Sequence, residues 1–447
     1  MGEPRYQFGP LERRGLILGL TFWQLVMIGC GVAGVVTALA TRDIVVVVVI
    51  GLIASAVIAS AVVPIGGRTG DEWLPIVVSA GLRWAIGRTK GMRDGPLEGF
   101  VLRDGTVQPA QRFAPSTLSS IRWSSVPPND PNGVGVIEDR RAGTYTAVMR
   151  VGGEGFALLD EGTKMRRLAW WGGVLETLCR EGTRIHRLQW IERTAPEQEN
   201  GVQIQRHDVH VALQVSARGS ARDIQRSGGR RDGAAVVLLR EMDALLALLN
   251  DPGVMGAHAL TQVEIEDQVQ DALALPGNLW PTVIRGHWDH LRTDTALHAT
   301  YWIREWPRVE VDADFLAPLL LHGNLRQTVA VTMTGESPLR AQRRADAALV
   351  ADLADAEMRD RAGFVQTFRR RRERDNVLRR GDEIASGHGS VRFSGYVTVS
   401  GENPDELESA CADIEQRAQH ARLHLQRMLG NQDVAFTYTL PLARGLR

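Results

Sequence analysis

Lysine is almost absent from this 447-residue chain: of 52 basic residues, only Lys90 and Lys164 are lysines. A Walker A loop, G-x-x-x-x-G-K-[ST], needs a lysine to reach the nucleotide phosphates. Lys90 is followed by Gly91 and Lys164 by Met165, so the sequence holds no P-loop. Cysteine is equally scarce, with Cys30, Cys179 and Cys411 far apart. That excludes a disulfide framework and a cysteine-based zinc site, and agrees with a reducing cytoplasm. Net charge is also lacking, because 52 acidic residues balance the 52 basic ones, so nucleic-acid binding would need a local patch. No G-x-S-x-G elbow organises a nucleophile. Gly152-Gly153-Glu154-Gly155 lacks dinucleotide-loop spacing and reads as a tight turn.

What the chain does have is two long apolar stretches, Leu16 to Ala40 and Ile44 to Ile65, separated by Thr41, Arg42 and Asp43. As helices they reach roughly 37 and 33 Å, enough to cross a hydrocarbon core of about 30 Å twice. A transmembrane hairpin over residues 1–66 is expected, with spans at 16–40 and 44–65. Arg5, Arg13 and Arg14 precede it and Arg68, Arg83, Arg88, Lys90 and Arg93 follow it, against Arg42 alone in the loop. The positive-inside rule then places both termini in the cytoplasm of a bacterial plasma membrane protein. A signal peptide ending at Ala38-Leu39-Ala40 fits less well, because the stretch exceeds an h-region of about 7 to 15 residues and a second span follows at once. Gly51, Ser55 and Ala59, at helical spacing, suit close packing of the second span on the first or on a partner.

Residues 67–132 read as a juxtamembrane segment and linker. Asp71 to Lys90 mixes Trp73, Leu74, Ile76, Val77, Leu82, Trp84 and Ile86 with Arg83 and Arg88. This pattern suits either an interfacial helix, with Trp73 and Arg83 at the membrane boundary, or a first core helix. Gly91 to Asn132, rich in glycine, proline and serine, reads as a linker with one strand.

Two cytoplasmic α/β domains are expected next, over 133–275 and 276–447. In the first, strands are expected at 145–151, 156–159 and 185–192 and helices at 163–180, 233–250 and 263–275; alternation runs from His207 to Val215. In the second, an irregular stretch at 276–294 precedes strands at 298–306, 327–334, 391–400 and 434–440, with helices at 312–321, 338–380 and 405–429. The fold class is α/β (α+β): the hairpin followed by ferredoxin-like α/β sandwiches.

Candidate chemistry is thin. His287, Asp289 and His290, with Asp294 downstream, offer imidazole and carboxylate ligands for a divalent metal. The H-E-x-x-H spacing is absent, however, and capping of a loop before His298 explains the same residues. His420 and His424 stand four apart with no third ligand in sight. Arg369, Arg370, Arg371 and Arg372, with Arg374, Arg379 and Arg380, form a basic run. It suits a charged helix end, an acidic protein partner, anionic lipid or DNA phosphate. No catalytic constellation stands out, and no enzyme activity or cofactor is expected.

Several phrases resemble a known family. Tyr6-Gln7-Phe8-Gly9-Pro10-Leu11-Glu12-Arg13-Arg14, Gly67-Arg68-Thr69 and Asp71-Glu72-Trp73-Leu74-Pro75 resemble an actinobacterial PrgI-like membrane protein family of conjugative, type IV secretion loci. Gly143 to Val148, Phe156 to Asp160, Leu188 to Thr194, Leu291 to Asp294, Tyr301 to Arg308 and Ala435 to Leu442 look like that family's soluble part. That part is in turn similar to the N-terminal, non-motor region of type IV secretion ATPases of the CagE/TrbE class. The resemblance implies a non-enzymatic inner-membrane scaffold of a conjugation-like DNA-transfer apparatus. Such a scaffold would dock a separate ATPase and neighbouring subunits within a hetero-oligomeric complex in the lipid bilayer. Two alternatives are a structural membrane subunit of a type VII secretion complex and a membrane-tethered metal-dependent enzyme using His287, Asp289, His290 and Asp294.

Overall fold

A computed structural model describes residues 22–41, 44–62, 68–85, 90–92, 100–101, 107–108, 118–152, 159–199, 202–250, 256–274, 281, 283–307, 309–321, 325–344, 346–347, 350 and 389–446. Two compact units emerge. One holds three N-terminal helices: α1 (Phe22–Thr41), α2 (Ile44–Val62) and α3 (Gly70–Ala85). The expected spans begin before Phe22 and end after Val62, and those ends lie outside the described residues. The strand expected at 156–159 falls largely outside them too, as does most of the helix expected at 338–380 and all of Arg369 to Arg372.

The other unit is built on one antiparallel sheet. Its strands are β1 (Lys90–Met92), β4 (Ile121–Val126), β5 (Val134–Asp139), β6 (Thr144–Val151), β7 (Ile185–Glu199), β8 (Val202–Ser216), β9 (Ala257–Ala259), β10 (Val283–Gly286), β11 (Leu291–Arg292), β12 (Leu297–Glu305), β13 (Arg326–Glu336), β14 (Ser390–Gly401) and β15 (His424–Arg427). A separate short ladder joins β2 (Phe100–Val101) to β3 (Val107–Gln108). The order is β1-β10-β11-β12-β14-β13-β7-β8-β6-β5-β4, with β15 beside β12 and β9 beside β6. Strands from 133–275 and from 276–447 thus share one sheet, joined where β13 pairs with β7, Val331 opposite Trp190. The mixed α/β class read from the sequence is the class observed.

Helices cover one face. They are α4 (Glu161–Cys179), α5 (Ala221–Arg226), α6 (Arg230–Leu249), α8 (Ala317–Leu320) and α9 (Pro404–His420). Asp160 caps α4 by accepting from the Thr163 amide at 3.1 Å, and Asn403 caps α9 by accepting from the Glu406 amide at 3.0 Å. Val174, Leu178, Val237, Leu238 and Met242 meet Met149, Leu188, Val211 and Leu213 of the sheet. Farther along the same face, Leu407, Ala410, Cys411 and Ile414 meet Ala299, Tyr301, Val397 and Val399. Each fully buried aliphatic side chain there is worth roughly 1.5–3 kcal/mol.

The opposite face is covered by α7 (Gln262–Ala272), α10 (Gln432–Phe436) and the C-terminal segment. Residues 434–440, expected as a strand, enter α10 and then an irregular segment. No edge is free beneath them, because the central strands already pair on both sides. Backbone amides from Ala435 to Thr439 bond within the segment's own turns, and backbone groups from Tyr438 to Gly445 are met by buried side chains of those strands. Gln189 donates to the Tyr438 carbonyl at 2.7 Å and accepts from the Ala443 amide at 2.7 Å. Gln214 donates to the Leu442 carbonyl at 2.9 Å, Thr332 to that of Arg444 at 2.9 Å, and Tyr396 to that of Gly445 at 2.5 Å. The helix expected at 405–429 ends at His420, and β15 follows a turn in which Arg422 takes a positive φ. Within 276–294, expected to be irregular, β10 and β11 form a short antiparallel pair.

Candidate functional site

Helices α1 and α2 lie antiparallel. Gly31 makes their seam possible: a Cβ there would meet Ile58 Cγ1 at 2.8 Å, and Gly34 faces Ile50. The stripe of Gly51, Ser55 and Ala59 does not form this seam, since Gly51 faces open space and Ser55 and Ala59 are exposed. Apolar side chains point outward all round, among them Val32, Val36, Leu39, Val45, Val48, Leu52 and Ile53. The Thr37 hydroxyl bonds to the Ala33 carbonyl at 2.7 Å within its own helix, so its hydrogen-bonding demand is met inside the helix. Among the described residues one helix, Trp23–Ala40, is long and apolar enough to cross a membrane, with a shorter apolar helix at Val47–Ala59.

The entry to α3 is tied to the start of α1. Gln24 Nε2 donates to Asp71 Oδ1 at 3.3 Å, and the Thr69 hydroxyl donates to the same carboxylate. Arg68, buried, lies over the Trp73 ring at 5.4 Å from its centroid. Trp73 and Arg83, the predicted boundary residues, stand in the first and last turns of α3, each partly buried.

In the sheet unit the densest polar cluster is one that sequence reasoning missed. Arg193 of β7 is buried where α7 crosses the sheet; it donates to the Gln268 carbonyl at 2.7 Å and to the Thr328 hydroxyl at 3.3 Å. Asp271 lies 3.9 Å away and also pairs with Arg206 and, at 3.6 Å, with Arg326. Asp208, opposite Arg193 on β8, is buried between Arg150 and Arg206. Burial lowers the Arg193 pKa to about 10, opposed by Asp271 and Asp208, so the guanidinium stays charged. Asp139 and Arg444 form a second buried link, at 2.5 Å. Burial pushes the Asp139 carboxyl up, but the hydrogen bond and charge of Arg444 bring it below the usual range. The signal for the first cluster was alternation in β8: Arg206, Asp208 and His210 share one face while Val209, Val211 and Leu213 fill the other.

Two buried histidines make this architecture acid-sensitive. Burial, then the charge of Arg193, lowers the His210 pKa to about 3; burial, then Arg326, does the same to His298. His298 also contacts the Ser400 hydroxyl at 2.7 Å through Nδ1 and lies beside Phe436, ring centroids 4.9 Å apart and the planes tilted by 50°. Both are neutral when folded, whereas the unfolded chain takes up their protons below the ordinary value of about 6.5. Their stabilisation is therefore complete above that pH and is lost as pH falls from about 6.5 towards 3. The urea midpoint of the detergent-solubilised protein is expected to fall between pH 7 and pH 5, and His210→Leu to flatten that dependence. Equal midpoints at the two pH values would contradict it.

The candidate metal ligands scatter. His287 and His290 stack ring on ring, centroids 4.4 Å apart, and His290 Nδ1 lies 2.9 Å from Asp289 Oδ1. Asp294 instead accepts from the Val283 amide at 2.9 Å, closing the turn beside β10. Among the described residues no group of three or more histidine, cysteine, aspartate or glutamate side chains is arranged to hold a metal ion. A surface groove between α8 and the end of α9, lined by Glu310, Asp312, Asp314, Phe315, His420 and Arg422, contains no catalytic grouping.

Comparison with protein families matches residues 203–303 to a family described as "Putative type VII ESX secretion system translocon, EccE". No curated protein matches the chain. The matched stretch runs from β8 through α5, α6, β9, α7, β10 and β11 into β12 and includes Asp208, His210 and Asp271. This finding overturns the resemblance to PrgI-like and CagE/TrbE-class proteins, and with it the type IV secretion and conjugation scaffold. The phrases behind that resemblance have a plain structural origin. Leu188 to Thr194 and Tyr301 to Glu305 lie on β7 and β12, strands buried or half-buried along these stretches, and such runs recur wherever both faces of a sheet are covered. Over the stretch that contributes the central strand β8 and the helix covering Arg193, the chain is similar to a type VII secretion translocon component.

Proposed function

We propose that this chain is a non-enzymatic, membrane-anchored structural subunit of a type VII secretion translocon. The observation that carries the reading is the EccE match across 203–303, in a chain whose N-terminal helices turn apolar side chains outward. In this reading α1 and α2 both cross the plasma membrane, and the arginine flanks keep both termini and the sheet unit in the cytoplasm. The sheet unit then docks neighbouring membrane subunits and a separate secretion ATPase. A motor elsewhere in the complex agrees with the lack of a Walker lysine in this sequence.

Deleting the gene in the source bacterium is expected to abolish export of small helical type VII substrates, with complementation restoring it. Undiminished export would contradict the assignment. Topology has its own check. Thr41→Cys, in the loop between the spans, is expected to react with an impermeant maleimide from outside intact cells, and labelling from the cytoplasmic face alone would overturn the two-pass arrangement.

A further inference from the structure

Helix α3 is turned inside out relative to a helix of a water-soluble domain. Its exposed face consists of Leu74, Pro75, Val77, Val78, Gly81, Leu82 and Ala85, without one polar side chain. Leu74, Val77, Val78 and Leu82 are 58, 51, 59 and 60% exposed. The polar residues Asp71, Glu72, Ser79 and Arg83 stand on the less exposed side. A soluble helix shows the reverse pattern. We propose that α3 lies in the plane of the membrane, with Leu74, Val77, Val78 and Leu82 seated in the boundary between lipid headgroups and acyl chains.

Three observations choose a lipid surface as the occupant of this face. Continuity is the first: α3 belongs to the same compact unit as α1 and α2, whose outward faces are equally apolar. Second, the Gln24–Asp71 and Thr69–Asp71 bonds hold the start of α3 level with the start of α1, at the end of the hairpin where the second span also returns. Third, length and chemistry suit the boundary. Sixteen residues make a helix of about 24 Å, short of a hydrocarbon core of about 30 Å. Charge is confined to the ends, at Asp71 and Glu72 and at Arg83. The Ser79 hydroxyl bonds to the Ile76 carbonyl of its own helix at 3.1 Å. Trp73, held by Arg68, sits at the end where an interfacial indole is favoured.

This placement rests on the reading that α1 and α2 are membrane-embedded, and the test separates the two. The full-length protein, carrying Cys30→Ser, is reconstituted in nanodiscs of phosphatidylcholine and phosphatidylglycerol. An environment-sensitive fluorophore is attached at Val78→Cys, at Leu82→Cys or, within α2, at Ile53→Cys. Lipids with a nitroxide near the top of the acyl chain should quench Val78→Cys and Leu82→Cys more than lipids with a deep nitroxide, and aqueous iodide should leave them unaffected. Ile53→Cys should show the deep preference. If Ile53→Cys behaves so but both α3 positions respond to iodide, to neither quencher or to the deep nitroxide most, the in-plane placement is wrong while the hairpin reading stands. Loss of lipid quenching at Ile53→Cys as well would overturn both. Should one α3 variant fail to reconstitute, the other gives the same readout.

Discussion

Replacing Arg193 by methionine is expected to destabilise the sheet unit by about 3–5 kcal/mol, the range seen when one partner leaves a buried ionic cluster. Methionine keeps the volume of the aliphatic stem but removes the donors to the Gln268 carbonyl and the Thr328 hydroxyl. It also takes a positive charge from between Asp208 and Asp271. Those carboxylates keep Arg150, Arg206 and Arg326, so the loss is partial. The position matters because Arg193 stitches β7 to β13 and to α7, at the seam between the two halves of the sheet. Adding Asp208→Asn to Arg193→Met should cost less than the sum of the two single changes, since the groups act as one network. Denaturant unfolding of the solubilised protein, followed by tryptophan fluorescence, reads both effects. A single variant within about 0.5 kcal/mol of wild type, the range of ordinary surface substitutions, would show that the cluster bears little of the fold.

The second large effect is expected at Gly335→Ala. A Cβ on Gly335 would lie 2.1 Å from the carbonyl oxygen of Leu178 and 2.4 Å from its carbon. The obstacle is backbone in the last turn of α4, so no side-chain rotation relieves it. Either α4 lifts from Leu188 and Met333 or β13 bends, at a cost of about 3 kcal/mol, the upper end for overpacking a close-packed interior. Gly172→Ala is the control. It lies within α4 with nothing within 4 Å of the new methyl, and the better helix propensity of alanine predicts a gain of up to about 1 kcal/mol. Equal stability of the two variants, measured by the same denaturation, would contradict the close approach.

Periodicity made much of the sheet unit legible. The helices expected at 233–250 and 263–275 appear as Arg230–Leu249 and Gln262–Ala272, and the strands at 327–334 and 391–400 as Arg326–Glu336 and Ser390–Gly401. The strands alternate because one face, with Val329, Met333, Val397 and Val399, packs on apolar helices while the other carries the buried Thr328, Thr332 and Thr398, and the helices repeat because each turns one side to the core. The strand expected at 185–192 runs on to Glu199, since Arg193 looks solvent-facing but points to α7, and Thr194 is buried on the other face of the sheet. The strand expected at 434–440 does not form. There the pattern of a strand occurs without a free edge to pair with, and the buried Gln189, Gln214 and Thr332 hold the chain at Tyr438, Leu442 and Arg444. The Arg193 cluster was illegible for a related reason: its members lie on β6, β7, β8, α7 and β13, and nothing local announces that they meet. Trp73 and Arg83 were legible as a pair flanking apolar residues, but which face of α3 is exposed required the fold.

The proposed place of this chain in a type VII secretion membrane complex is tested most directly by recovery of that complex. The full-length protein, tagged and expressed from its own locus, is extracted in mild detergent and purified, and its partners are identified by mass spectrometry. The account predicts other type VII membrane subunits, together with the secretion ATPase, in reproducible stoichiometry. Recovery of the protein alone, or with subunits of an unrelated apparatus, would contradict it.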